Sequence, residues 1–232
     1  MRSCSRALGV VLALLLSSAC WPPAFAREDS SALESTYPLD DISRWMSEDR
    51  TLPCQDGSLP LTSYAGERVR YARPVRVHPA FRARLSAFDA LLVEVAEEHF
   101  GRAPRRLLHF GAYVCRAMRG REHLISEHAL GNALDLAGFE FGPLPRGKLL
   151  PASAPRGLRA AFQVSIQGDW QARGKRAPQA EFLRDLAARL MDRPDIFRSF
   201  VGPGWPGHDN HFHLAVPPYR LVKLGDTVRW LW

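Results

Sequence analysis

Two short segments constrain this chain more than anything else in it. Ser126-Glu-His128-Ala-Leu-Gly131-Asn-Ala133-Leu-Asp135 is followed, far along the sequence, by His208-Asp-Asn-His211-Phe-His213. Of eight histidines, four fall in these segments, each cluster beside a carboxylate. A single histidine is commonly a surface or hydrogen-bonded residue; the clustering is what points to a metal. Two imidazoles and a carboxylate suit a catalytic zinc, which takes three protein ligands and leaves one position for water. Any fold that uses both segments must bring distant elements to one point.

Local spacing makes that convergence feasible. His128 lies where a turn of helix fits, whereas Ala133 to Phe141 alternates well enough to be a strand. Gly131 permits a tight passage between the two. A straight strand from His128 to Asp135 would be about 23 Å long, so a bend is required for both to reach one ion. His211 and His213, two apart, share one face of a strand, and Phe212 points the other way, towards a core.

The pattern Ser126-x-His128-x-x-Gly131-x-Ala133-x-Asp135 with His211-x-His213 resembles the superfamily of D-Ala-D-Ala metallopeptidases, Hedgehog-type domains and penicillin-insensitive murein endopeptidases. Within it, the chain is similar to the bacterial extensin-like C-terminal domain family. Tyr113-Val-Cys115-Arg116 ahead of Ser-Glu-His-Ala, and Gly202-Pro203 ahead of the last His-Phe-His-Leu, carry that likeness. The resemblance covers roughly residues 50 to 217.

It implies zinc (Zn2+) held by His128, Asp135 and His213, with His211 as a site residue that hydrogen-bonds water or the tetrahedral intermediate without ligating. The segment around His208 resembles the murein endopeptidases, in which a histidine at that position belongs to the active site. One departure matters. Related dipeptidases carry a glutamate three residues before the last ligand as general base; here that position is Asn210, which cannot take a proton. Asp209, His208 and His211 remain as candidates. A histidine suits the task, because its unperturbed pKa lies close to working pH. His211 is the first choice and His208 the second. Charge developing on a scissile carbonyl calls for a fixed donor. Arg116 is the candidate, following a strand-like run and matching an arginine of the related peptidases, with Arg119 behind it.

The N-terminus bears on location. Arg2 and Arg6 precede the apolar run Ala7 to Leu16, too short to span a bilayer as a helix but suited to a signal peptide, with Ala24-Phe-Ala26 as its cleavage site. A periplasmic or cell-envelope protein is expected. A second reading makes Cys20 a lipidated membrane anchor. Removal of residues 1–26 leaves Cys54 and Cys115, which an oxidising compartment favours pairing. It also reduces the formal net charge from +7 to +5. No nucleic-acid module is visible, and Arg102 to Arg106 reads as a short solvated run.

The expected organisation is a signal peptide over 1–26, a leader with a short helix over 27–50 (the helix at Leu39–Met46), a zinc peptidase domain over 51–220, and a tail over 221–232 ending in Trp230-Leu-Trp232. Helical spacing predicts helices over Pro79–Phe100 and Ala180–Met191; strands are expected near 106–114, 133–141 and 211–216, with a loop over 142–157. The fold class is α+β: a small, mostly antiparallel sheet flanked by helices, with the zinc site on strand ends and adjacent loops. Tyr113, Phe139, Trp170 and Trp205 are candidates to line a groove. The functional expectation is an exported, monomeric zinc peptidase that hydrolyses bonds involving D-amino acids in peptidoglycan stem peptides, crosslinks before terminal D-Ala. The alternative is a zinc-containing wall binder without turnover.

Overall fold

A computed structural model describes residues 33, 36–225 and 227–231, with side chains described up to 225. The signal-peptide segment, Cys20, the start of the leader and the side chains of Trp230 and Trp232 lie outside these residues. Among the described residues no helix is long and apolar enough to cross a membrane.

The described chain is α+β. Strands β1 (Thr62–Tyr64) and β2 (Val75–Val77) form a small antiparallel pair ahead of helix α1 (Pro79–Phe100). Strand β3 (Arg106–Gly111) is followed by a hairpin of β4 (Ala117–Met118) and β5 (Arg121–Ile125), then by β6 (Ala133–Phe141). Next come β7 (Phe162–Ser165), the short helix α2 (Ile166–Asp169) and helix α3 (Ala177–Met191). The chain closes with β8 (Ser199–Val201), β9 (Phe212–Ala215), β10 (Arg220–Leu224) and β11 (Thr227–Leu231). The main sheet runs β11-β10-β8-β9-β6-β3, with β7 also on β6. All its pairs are antiparallel except β8 with β10, so the sheet is mixed, and it extends past residue 220 into the segment expected to be a tail.

Helix α1 forms where its apolar period and caps predict. Pro79 opens it, the His78 side chain accepts from the Ala80 N–H, and Gly101 closes it in the left-handed region at φ 68°. Its buried stripe Phe81, Leu85, Phe88, Leu92 and Val95 covers one face of the sheet together with Phe182, Leu183 and Leu186 of α3. Phe139 and Phe141 of β6 meet Phe182 edge-on, at 5.4 and 5.8 Å between ring centroids. With both helices on one side, the opposite face of β6, β9 and β3 is left for polar side chains.

Two expectations fail for identifiable reasons. Leu39–Met46 is a turn followed by a bridge, not a helix. The guanidinium of Arg44 takes the carbonyls of Leu39 and Ile42, and the backbones of Arg44 and Met46 pair with Ile125 and His123 of β5. Those carbonyls are then lost to a helical ladder. Nor is Arg102 part of a solvated run. It is 6% exposed, and its Nη2 donates to the carbonyls of Leu158 and Ala160 while the group lies over the Phe162 ring.

Cys54 and Cys115 form the expected disulfide, which staples the segment before β1 to the end of the β3 connection. Closing a loop of 61 residues contributes about 4 kcal/mol in the chain-entropy account. Cys54→Ser/Cys115→Ser should therefore lower the melting temperature by roughly 8–16 °C for a chain of this size, read by calorimetry. A change under about 2 °C would mean that the bridge is energetically idle.

Candidate metal centre

Strand pairing assembles the site. Asp135 of β6 and His213 of β9 are direct cross-strand partners, on the face turned away from the helices. Leu134, Leu136, Phe212 and Leu214 take the other face and are fully buried, which fixes the register, because a one-residue slip would invert every side chain. His128 arrives from a 3-10 turn, Glu127–Leu130, opened by Ser126, whose hydroxyl accepts from the His128 N–H at 3.3 Å. Gly131 then reverses the chain at φ 62°, where a Cβ would lie 2.5 Å from the Leu61 side chain and 2.8 Å from the His78 nitrogen. Both the conformation and the space call for glycine.

The three groups converge. His128 Nε2 lies 3.2 Å from Asp135 Oδ1 and 3.2 Å from His213 Nδ1, and His213 Nδ1 lies 3.0 Å from Asp135 Oδ1. Ligand atoms around a tetrahedral zinc stand about 3.4 Å apart, given bonds of about 2.0–2.2 Å. The edges of the triangle are a few tenths of an ångström shorter than that, and among the described residues these three form a group that could hold a metal ion. His128 Nδ1 donates to the Ala112 carbonyl at 2.9 Å, which leaves Nε2 with its lone pair on the site side. Burial alone would raise the Asp135 carboxyl, but the neighbouring His128 and His213 rings outweigh it and hold the group far below the usual carboxylate range. Burial pushes His213 down, which favours the neutral, ligating form.

Behind His128 sits a buried polar network absent from the sequence reading. Glu127 pairs with Arg44 at 2.7 Å, and Asn132 donates to Glu127 and to the Val216 carbonyl, at 2.5 and 2.7 Å. Tyr37 donates to Asn132 Oδ1 at 2.5 Å. Each polar group finds a partner, as a buried network must. Its members flank the metal motif at Glu127 and Asn132, the one signal that could have revealed it.

The remaining candidates divide. His211 faces the centre, its Nε2 3.6 Å from Asp135 Oδ1, and its Nδ1 donates to Asn210 Oδ1 at 2.8 Å. Asn210 therefore sets the tautomer of the neighbouring ring and leaves Nε2 as an acceptor directed to the site. Burial pushes His211 down to about 4, with Asp135 opposing. The His208 ring stands 4.8 Å from His211 and 5.9 Å from His213, with Nδ1 on the Pro206 carbonyl at 3.0 Å. Asp209 is exposed. Arg116 is half-buried, near enough to feel the charge of Asp135, and its Nη1 donates to the Ala117 carbonyl at 3.1 Å. Arg119 is exposed at the hairpin turn.

Of the expected aromatic lining, Phe139 drops out, fully buried against α3, while Trp170 is half-buried and packs edge-on against Phe212 of the core. Tyr113 carries the Arg76 guanidinium over its ring at 5.0 Å, and Trp205 is half-buried. The aromatic at the centre is Phe110, 52% exposed and edge-on to His211 at 5.6 Å.

Residues 45–151 match the family described as extensin-like protein C-terminus. The extensin-like match takes in Cys54, Cys115, Arg116, His128 and Asp135, and it ends before His208, His211 and His213. Convergence of the second segment onto the matched segment is thus a property of the fold, through the pairing of β9 with β6. No curated protein and no solved structure matches the chain.

Proposed function

We propose that this chain is an exported zinc peptidase that cleaves bonds involving D-amino acids in peptidoglycan, crosslinks in preference to terminal D-Ala, as a monomer in the periplasm or cell envelope. The observation that carries the reading is the triangle of His128, Asp135 and His213, whose edges suit tetrahedral zinc. The resemblance of both motifs to the metallopeptidase and murein endopeptidase superfamily supports the substrate class.

His128, Asp135 and His213 would hold the ion, and its chemistry when bound is that of a Lewis acid, which makes water a nucleophile near neutral pH and polarises a carbonyl. The other residues handle protons and charge. His211 Nε2 accepts the proton of the attacking water and returns it to the leaving amine, with Asn210 holding Nδ1–H so that Nε2 stays free. Arg116 supplies positive charge where the carbonyl oxygen becomes anionic. His208, against the His211 ring, flanks the same side.

Asn210 also favours a second reading, a zinc-bearing wall protein without turnover, because the position usual for a carboxylate base holds an amide. One experiment separates the two. Purified residues 27–232 should carry about one zinc per chain and convert crosslinked muropeptides to monomers, followed by mass spectrometry. Full zinc occupancy with no cleavage of crosslinked or pentapeptide substrates would sink the peptidase and establish the binder.

A further inference from the structure

The sheet face that bears the metal centre continues along β3 to a second, differently charged place. Along β3, Leu107 and His109 are buried, whereas Arg106 and Leu108 are half-buried and Phe110 is exposed on the other side, next to register shifts in the pairing with β6 around His109. Phe110 touches His211 there, and Arg106 pairs with Glu140 of β6 at 2.8 Å. Gly111 is the register partner of Asp135, and Arg106 that of Glu140. The two ends are five residue steps apart on each strand, with two register shifts between them, so the separation is at most roughly 16 Å.

At the far end, Arg70, Ala72, Arg105 and Arg106 line a cavity of about 230 Å³. Backbone pairing brings the three arginines to one place: the Leu107 N–H donates to the Arg70 carbonyl, the Ala72 N–H to the Leu107 carbonyl and the Arg105 N–H to the Glu140 carbonyl, each at 2.8 Å. Glu140 answers Arg106, whereas Arg70 and Arg105 are exposed and pair with no carboxylate among the described residues. Ala72 leaves room between them. Two uncompensated guanidinium groups lining one hollow suit a carboxylate, which arginine binds through paired N–H donors.

We infer that this hollow is a substrate subsite, resting on the peptidase reading above, and that it receives a carboxylate of the peptidoglycan stem peptide while the scissile bond lies at the metal centre. An extended peptide of five residues covers the same distance, at up to about 3.3–3.6 Å per residue. Phe110 and Leu108 give it an apolar floor between the two ends. The subsite favours long, anionic substrates over a terminal dipeptide, which could not reach both places.

The test measures binding of the zinc-loaded mature chain, by calorimetry, to a monomeric tetrapeptide muropeptide with its carboxylates free or amidated. Monomer is a product of crosslink cleavage, so no turnover is needed and the answer does not depend on catalysis. Amidation should weaken binding to the wild type about tenfold. Arg70→Ser/Arg105→Ser should bind the free acid about tenfold more weakly than wild type and show no preference between the two ligands. Arg156→Ser/Arg159→Ser, which removes two exposed arginines elsewhere, should match the wild type. The subsite is overturned if the Arg70/Arg105 variant keeps the preference, if the control loses it equally, or if the wild type binds neither ligand. If the carboxylate preference maps to Arg70 and Arg105 but crosslinked dimers are never cut, the subsite stands and the peptidase reading falls.

Discussion

His128→Ala is expected to take the zinc content of the purified chain from about one ion to less than a tenth, while the far-ultraviolet circular dichroism stays that of the wild type. Loss of a supporting hydrogen bond to a ligand already costs 10–100-fold in metal affinity, so loss of one of three ligands should exceed that. His128 is also the ligand whose removal disturbs the strands least. It comes from the 3-10 turn, whereas Asp135 and His213 lie opposite each other within the sheet. The same variant yields a thermodynamic readout. Zinc at 100 times its Kd should stabilise the wild type by about 2.7 kcal/mol, so a chelator should lower its melting temperature by several degrees. His128→Ala should melt at the same temperature with or without the chelator. Zinc retained at full stoichiometry in this variant would show that the ion sits elsewhere.

The convergence of His128, Asp135 and His213 was largely legible in the sequence, because strand alternation holds over the stretches that carry Asp135 and His213. The pattern of Ala133 to Phe141 set β6 to the residue, and placing Phe212 inward forced His211 and His213 outward. Gly131 told of a reversal that its φ of 62° bears out. Helix α1 was equally readable from its apolar stripe, Pro79 and Gly101. What escaped were short strands: β4 with two residues, β1, β2 and β8 with three each, β7 with four, and β5, β10 and β11 with five each. These strands form against partners already in place, and so few residues carry little periodicity of their own. Leu39–Met46 misled for the opposite reason. Its spacing is helical, but a side chain, that of Arg44, competes for the carbonyls. Phe139 misled too, since nothing marks which face an aromatic residue takes, and the core claimed it.

His211→Ala should separate chemistry from metal binding. Zinc content is expected to stay at about one per chain, because the three ligating groups and the His128–Ala112 hydrogen bond are untouched. Cleavage of crosslinked muropeptides should fall by about 10²–10⁴ in kcat, the usual contribution of a positioned proton-transfer group, with KM changed by only a few-fold. Asn210→Ala should produce a smaller loss in the same direction. It removes the acceptor that holds Nδ1–H, so the ring spends part of its time in the tautomer that presents N–H instead of a lone pair to the site. His208→Ala tests the rival assignment. Its ring touches His211, yet its Nδ1 is committed to Pro206 and the protein places it farther from the ligands, so its loss should be milder. Full activity in His211→Ala with a collapse in His208→Ala would exchange the two roles. A graded series, with His211 most severe and Asn210 intermediate, would explain why a chain with an amide where a carboxylate base is usual can still turn over: the proton acceptor has moved one residue along, and the amide holds it in place.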